Sequence, residues 1–323
     1  MRFAGKTLVA LLSGAAAAVR VAAAPPDAAV PLQDGQILAV SSVRLSADTA
    51  TAAATRQILE EVAVTAITYA SDGLRVKGYL AVPKKGEHLP AVIFNRGGNR
   101  AFAQLRPEDA VVKLGSLARW GYVVAASQYR GNDGGEGKEE FGGADVDDVL
   151  NLIPLLGSLS KVDATRIGMC GWSRGGMMTY LALARTDRIA AAVVSSGVTD
   201  LSDMLARRPE MEDVFLALIP DYRERKEEAL AARSAVRWAE RLNPKTPILI
   251  LAGTADWRVH PKQALDMSAV LLEAKHPFRL VVFEGGEHGL SEYREDVDRL
   301  VRDWLDRYVR DRKPWPGLDP HGD

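Results

Sequence analysis

From Val62 onward the chain alternates between short apolar runs and longer stretches in which apolar residues recur every three to four positions. Residues 62–69 and 74–82 alternate apolar with polar positions and are joined by Ser71-Asp72-Gly73, the pattern of a β-hairpin. Residues 90–94, 122–126, 166–170, 189–195, 247–251 and 279–283 are short, continuous apolar runs, as expected of strands buried on both faces. Between them, residues 109–119, 146–156, 174–185, 261–274 and 292–309 carry helical spacing. This alternation predicts an α/β fold: a mostly parallel sheet of about eight strands flanked by helices, with the leading hairpin as its antiparallel edge.

Two regions depart from the pattern. Residues 199–243 hold two or three polar helices and no strand, which predicts a small helical cap over the strand ends; its charge-dense part, 221–228, reads as a solvated helix face. At the other end, Arg2 and Lys6 precede an alanine-rich apolar run, small residues and then Pro25-Pro26. That order predicts an export signal over 1–24, cut after Ala18 or Ala23, and a periplasmic or secreted protein. A lead-in over 25–60, a catalytic domain over 61–310 and a tail over 311–323 complete the expected organisation.

Composition narrows the function. With 41 basic and 42 acidic residues the net charge is −1, so nothing favours a nucleic-acid partner, and beyond the leader no run is long enough to hold a membrane. The single cysteine, Cys170, excludes an internal disulfide and a multi-cysteine zinc site; it reads as a small core residue. No metal- or phosphate-binding motif stands out, so no cofactor is expected. Asp147 and Asp148 read as first-turn residues that complement a helix dipole.

The chemistry sits in three loops. Gly171-Trp-Ser173-Arg-Gly175 follows an apolar strand and opens a helix, as a G-x-S-x-G nucleophile turn requires, and makes Ser173 the nucleophile. A serine hydroxyl needs a base, and the base needs a third group to hold its tautomer. Of five histidines, His288 alone stands between glycines, after the last apolar strand and before the last helix, where a loop can carry it over the strand ends. Asp256 follows the penultimate strand by a flexible turn, several residues before the next helix, and is the expected acid. The chain order Ser, Asp, His is that of the α/β-hydrolase fold. The oxyanion would take the backbone N–H of Arg174 and one from Gly97 or Gly98 in the loop after the third strand. Trp172 and Trp257, beside the nucleophile and the acid, are candidate substrate contacts.

These residues resemble the catalytic domain of the prolyl oligopeptidase family of serine peptidases, over about 62–309. Gln128-Tyr-Arg-Gly131 through Gly137, the helix opening at Asp145, Gly253-Thr-Ala-Asp256 with Val259-His-Pro261, and Gly286-Glu-His288-Gly are similar to the family's segments, as is the entry hairpin. Dienelactone-hydrolase-like and acetyl-xylan-esterase-like enzymes share parts of the pattern. Two departures stand out. Some sixty residues precede the hydrolase, too few for the family's usual β-propeller, and Arg96 stands where many members place a tyrosine or histidine. Arg96 either turns inward to bind a substrate carboxylate or the oxyanion, or is an ordinary surface cation. The resemblance implies a serine hydrolase that cleaves short peptides or small esters through an acyl-enzyme. A carboxylesterase is the alternative. A non-catalytic binding module would have no need of all three triad residues.

Overall fold

The computed structural model describes residues 31–46, 48–49 and 52–321; the expected export signal lies outside them. Among the described residues nine strands form one sheet in the order β1-β2-β3-β5-β4-β6-β7-β8-β9. They are β1 (Ile37–Ser42), β2 (Val62–Ser71), β3 (Leu74–Pro83), β4 (Leu89–Asn95), β5 (Val123–Ser127), β6 (Val162–Trp172), β7 (Ala191–Ser195), β8 (Ile248–Gly253) and β9 (Phe278–Phe283). The hairpin β2–β3 and its flanking pairings are antiparallel, and β5 through β9 run parallel.

Successive residues of the parallel strands enter opposite cores, because side chains alternate across a sheet. Ile248 and Ile250 join the core on one face, and Leu249 and Leu251 join the other. Ile93 and Val92 divide in the same way. Both faces are covered, so the strands read as unbroken apolar runs.

The edge strand β1 was not expected. It falls in the lead-in, its residues are half-buried or exposed, and it buries too little to leave an alternating signal. The hairpin is therefore one strand in from the sheet edge. The lead-in also holds helix α1 (Ala53–Glu61). Two expected helices are broken. Residues 107–119 include one π-helical turn at Ala110–Leu114, and 145–157 divide into α2 (Asp145–Leu150) and α3 (Leu152–Gly157). Pro154 has no N–H to donate to the carbonyl of Leu150, so the helical ladder cannot run through that point.

Between β7 and β8 the cap consists of α4 (Leu201–Arg207), α5 (Met211–Leu218) and α6 (Lys226–Ala232), followed by short 3-10 turns. Its polar composition hides an apolar inner stripe. Met204, Met211, Phe215, Leu218 and Leu230 are buried in the main core, where the Phe215 ring stands 5.3 Å from Phe141 and 5.9 Å from Tyr222.

The paired aspartates do more than complement a helix dipole. Asp147 pairs with Arg185. Asp148 is fully buried and accepts hydrogen bonds from the Arg130 backbone (2.7 Å), the Arg130 guanidinium (2.8 Å) and Ser71 Oγ (2.7 Å), tying the hairpin and the loop after β5 to α2. Removing Asp148 leaves the buried Arg130 guanidinium with Asp72 alone, a half-exposed partner at 2.7 Å, and takes the acceptor from Ser71 and from the Arg130 N–H. Asp148→Ala is expected to lower the unfolding free energy in a denaturant titration by about 3–5 kcal/mol. A loss below about 1 kcal/mol contradicts this role for the pair.

Candidate active site

The turn from β6 into the helix that follows it (Arg174–Leu183) puts Ser173 at φ 59°, ψ −125°, a conformation that costs energy for a residue with a β-carbon. The surroundings hold it there. Ser173 N–H donates to Ser195 O (3.0 Å), and its carbonyl accepts from Gly176 N (2.9 Å) and Val198 N (3.3 Å). The flanking glycines are required by space. A β-carbon at Gly171 would stand 2.2 Å from Gly175 O, and one at Gly175 would stand 2.0 Å from Asn95 O. Neither contact is tolerable, so the glycines let the turn close against β4.

Asp256 and His288 arrive on two loops bound to each other. Thr254 N donates to Phe283 O (2.9 Å), Ala255 N to Gly286 O (3.0 Å), and Gly285 N to Thr254 Oγ1 (2.7 Å). Asp256 Oδ1 accepts the backbone N–H groups of Arg258 (2.9 Å) and Val259 (3.0 Å), which leaves Oδ2 for His288 Nδ1 at 2.7 Å. A carboxylate only accepts, so Nδ1 carries the hydrogen of this bond and Nε2 faces away from the carboxylate. Both residues are buried.

Ser173 and His288 line one cavity of about 500 Å³, with Gly98 and Arg174 beside them; no other histidine reaches it. Its walls are Phe102, Phe141, Val198 and Val259 from the main domain and Met204, Met211 and Val214 from the cap, with Arg208, Glu210 and Arg258 supplying charge. Of these wall residues only Val259 was named in the sequence, as part of the acid-loop segment. The cap contributors carry no motif, and Arg258 has no signal beyond its place two residues after the acid. The dense charge at 221–228 stands apart: Asp221, Arg225 and Glu228 line a separate groove.

Trp172 lines the cavity as expected, and it also holds the histidine loop. Its Nε1–H donates to His288 O (3.0 Å), and the two rings are 5.0 Å apart. Trp257 is corrected. It is 65% exposed and outside the cavity wall, stacked on the guanidiniums of Arg258 (4.5 Å) and Arg208 (5.4 Å). Cys170 is buried, and burial pushes its thiol up to about 12, so no thiolate is available as a nucleophile.

Gly97 lies against Ser173, and Gly98 lines the same cavity. A β-carbon at Gly97 would be 3.1 Å from Ser173 Cβ. Arg96 is corrected on both counts, since it is neither a surface cation nor a cavity residue. It is 1% exposed, with Nε and Nη2 donating to Gln128 O (3.2 and 2.8 Å), Nη1 to Gly97 O (3.0 Å) and Nη2 also to Arg100 O (3.3 Å). Its guanidinium lies 4.9 Å from the Tyr129 ring. Burial lowers its proton affinity, and backbone carbonyls take the place of a carboxylate partner.

Beside it lies a buried ion cluster that sequence reasoning missed. The Arg174 side chain binds Glu139 and Asp145 and donates to Gly98 O (3.0 Å). Burial opposes ionisation of Glu139, but Arg174 together with the hydrogen bonds from Asn132 and the Arg100 N–H outweighs it and holds the carboxyl below its ordinary range.

A model of the prolyl oligopeptidase family matches residues 111–312. An uncharacterized peptidase of Bacillus subtilis, YtmA, is 32% identical over 249 residues, which are 76% of this chain and 94% of that one. Dipeptidyl-peptidase 5 of Porphyromonas gingivalis is 24% identical over 74% of this chain and 37% of its own length. Among solved structures, acylaminoacyl peptidase from Pyrococcus horikoshii superposes with a TM-score of 0.67 at 24% identity, over 80% of this chain and 43% of that one. A Mycobacterium tuberculosis puromycin-hydrolyzing peptidase superposes with a TM-score of 0.66 at 24% identity, over 76% and 39%. At these identities the structural likeness establishes the fold. The chain thus spans nearly all of YtmA and less than half of the other three.

Because Arg96 is walled off from the cavity, Arg96→Ala is expected to act through the loop and not through substrate charge. Its kcat/KM should fall by the same factor, within about threefold, on a neutral and a carboxylate-bearing substrate. A loss confined to the carboxylate-bearing substrate contradicts this placement.

Proposed function

The chain belongs to the prolyl oligopeptidase family and is a serine hydrolase, and from that premise we propose that Ser173, Asp256 and His288 carry its chemistry on short peptides and related esters. The observation that carries this reading is the 2.7 Å contact of His288 Nδ1 with Asp256 Oδ2, where His288 shares a cavity wall with Ser173 at a strained turn.

The Ser173 hydroxyl attacks the substrate carbonyl carbon while His288 Nε2 accepts its proton. Asp256 keeps the other ring nitrogen protonated and stabilises the imidazolium that forms. The oxyanion accepts N–H groups from Arg174 and from the Gly97–Gly98 loop. Collapse of the intermediate returns the proton to the leaving amine or alkoxide, and the acyl group stays on Ser173. Water, deprotonated by His288, then attacks the acyl-enzyme and restores the free serine.

The cavity supports a substrate with one apolar side chain or acyl group. Met204, Met211 and Val214 of the cap, with Phe141, Val198 and Val259, offer an apolar surface beside the nucleophile. The cap thus covers part of the site, and a peptide and an ester sharing that apolar group are both expected to be turned over. We place this chemistry outside the cytoplasm, on the charged, apolar and small-residue order of the first 24 residues.

Ser173→Ala is expected to abolish covalent labelling by a fluorophosphonate and to lower kcat by about 10⁴-fold or more, with the melting temperature unchanged. Peptide mapping of the labelled wild type locates the adduct. Label on another serine, or turnover retained by the variant, sinks the assignment.

A further inference from the structure

Five consecutive carbonyls after β4 are hydrogen-bonded. Arg96 O accepts from Tyr129 OH (2.9 Å), Gly97 O from Arg96 Nη1 (3.0 Å), and Gly98 O from Arg174 Nη1 (3.0 Å). Asn99 O accepts from Phe102 N (2.9 Å) and Arg100 O from Arg96 Nη2 (3.3 Å). The first three donors form one packed cluster: the guanidiniums of Arg96 and Arg174 each lie 4.9 Å from the centre of the Tyr129 ring.

Peptide geometry turns this into a statement about amides. No cis peptide bond occurs among the described residues, and in a trans peptide the C=O and the following N–H point in opposite directions. Carbonyls 96, 97 and 98 drawn into the cluster therefore turn the N–H groups of Gly97, Gly98 and Asn99 away from it. On that other side stands the nucleophile. Gly98 and Asn99 line the cavity, and Gly97 abuts Ser173 Cβ. Two of the three donors are cations, and a carbonyl bound to a cation polarises its own N–H, making it the stronger donor.

Glu139 closes the arrangement. One carboxylate oxygen binds Arg174, and the other accepts Arg100 N (2.9 Å) and Asn132 Nδ2 (2.7 Å). The loop is thereby held at Gly98 and at Arg100 by one buried pair.

We infer that Arg96, Tyr129, Arg174 and Glu139 are positioning residues, which aim the amides of Gly97 and Gly98 at the oxyanion although none of their side chains touches substrate. The arginine at 96 is then no defect. Its side chain donates backward to the loop's carbonyls, and backbone amides stabilise the oxyanion in place of a side-chain hydroxyl. This inference rests on Ser173 as the nucleophile, which labelling tests separately.

Two variants probe opposite ends of the loop. Tyr129→Phe deletes only the hydroxyl that holds Arg96 O, and Glu139→Gln keeps shape while loosening Arg174. Each is measured for kcat and KM on one ester, and for Ki with a peptide boronic acid, which forms a tetrahedral adduct on the nucleophilic serine. The expected result is a kcat lower by about tenfold or more, KM within about threefold, and a boronate Ki that rises in step with the loss in kcat. Tyr129→Phe, a nearly isosteric change, decides the matter alone if Glu139→Gln does not fold. Wild-type kcat and Ki overturn the inference whatever the melting temperature, and so does a fall in kcat with unchanged boronate affinity. If the wild type carries no phosphonate on Ser173, it is the reading of the site that fails.

Discussion

Between Trp172 and Arg174 the chain turns from strand β6 into a helix within one residue, at φ 59° and ψ −125°. Such a backbone costs on the order of 1–3 kcal/mol and persists only where the surroundings over-determine it. Here they do. The Ser173 amide and carbonyl are bonded on both sides, Gly175 lets the helix start pass beside Asn95 O, and Gly97 lets the next loop lie against the serine. The strain has a chemical use. It exposes a hydroxyl above the strand ends and leaves the Arg174 amide at the first helical position, where no intrahelical carbonyl precedes it.

The other loops are built around that fixed point. Acid and histidine loops are bonded backbone to backbone before their side chains meet, so the 2.7 Å contact between Asp256 and His288 follows from how β8 and β9 end. The Trp172 indole adds a third restraint, from the nucleophile's own strand to the carbonyl of His288. On the opposite side, buried charge does the holding. Arg174 opens the helix after the Ser173 turn and sends its side chain to Glu139, Asp145 and Gly98 O, so that turn and the loop after β4 share one residue. Buried ion pairs add little net stability, but they resist rearrangement, because a stranded charge costs several kcal/mol.

What the sequence revealed follows from which interactions leave a local signature. The parallel strands were legible because burial on both faces demands continuous apolar runs, and the nucleophile turn because glycines at 171 and 175 are the only residues its contacts allow. Strand β1 was illegible because an exposed edge demands little of its side chains. The cap showed as polar helices, and its apolar stripe of Met204, Met211 and Phe215 is too short within each helix to stand out. Arg96 and Trp257 were misplaced for one shared reason: sequence position next to a functional residue says nothing about which way a side chain points. Arg96 runs back under its own loop, and Trp257 stacks outward on arginines. The pairing of Arg174 with Glu139 spans 35 residues of sequence, and no local pattern announces it.

The most direct test is the crystal structure of the phosphonate adduct of the protein. Phosphorus is expected on Ser173 Oγ, with its unesterified oxygen about 2.7–3.1 Å from the backbone nitrogens of Arg174 and of Gly97 or Gly98. The carbonyls of Arg96, Gly97 and Gly98 should keep their donors from Tyr129, Arg96 and Arg174. An adduct on another residue would contradict this arrangement. So would an oxygen turned to solvent, with those amides unengaged.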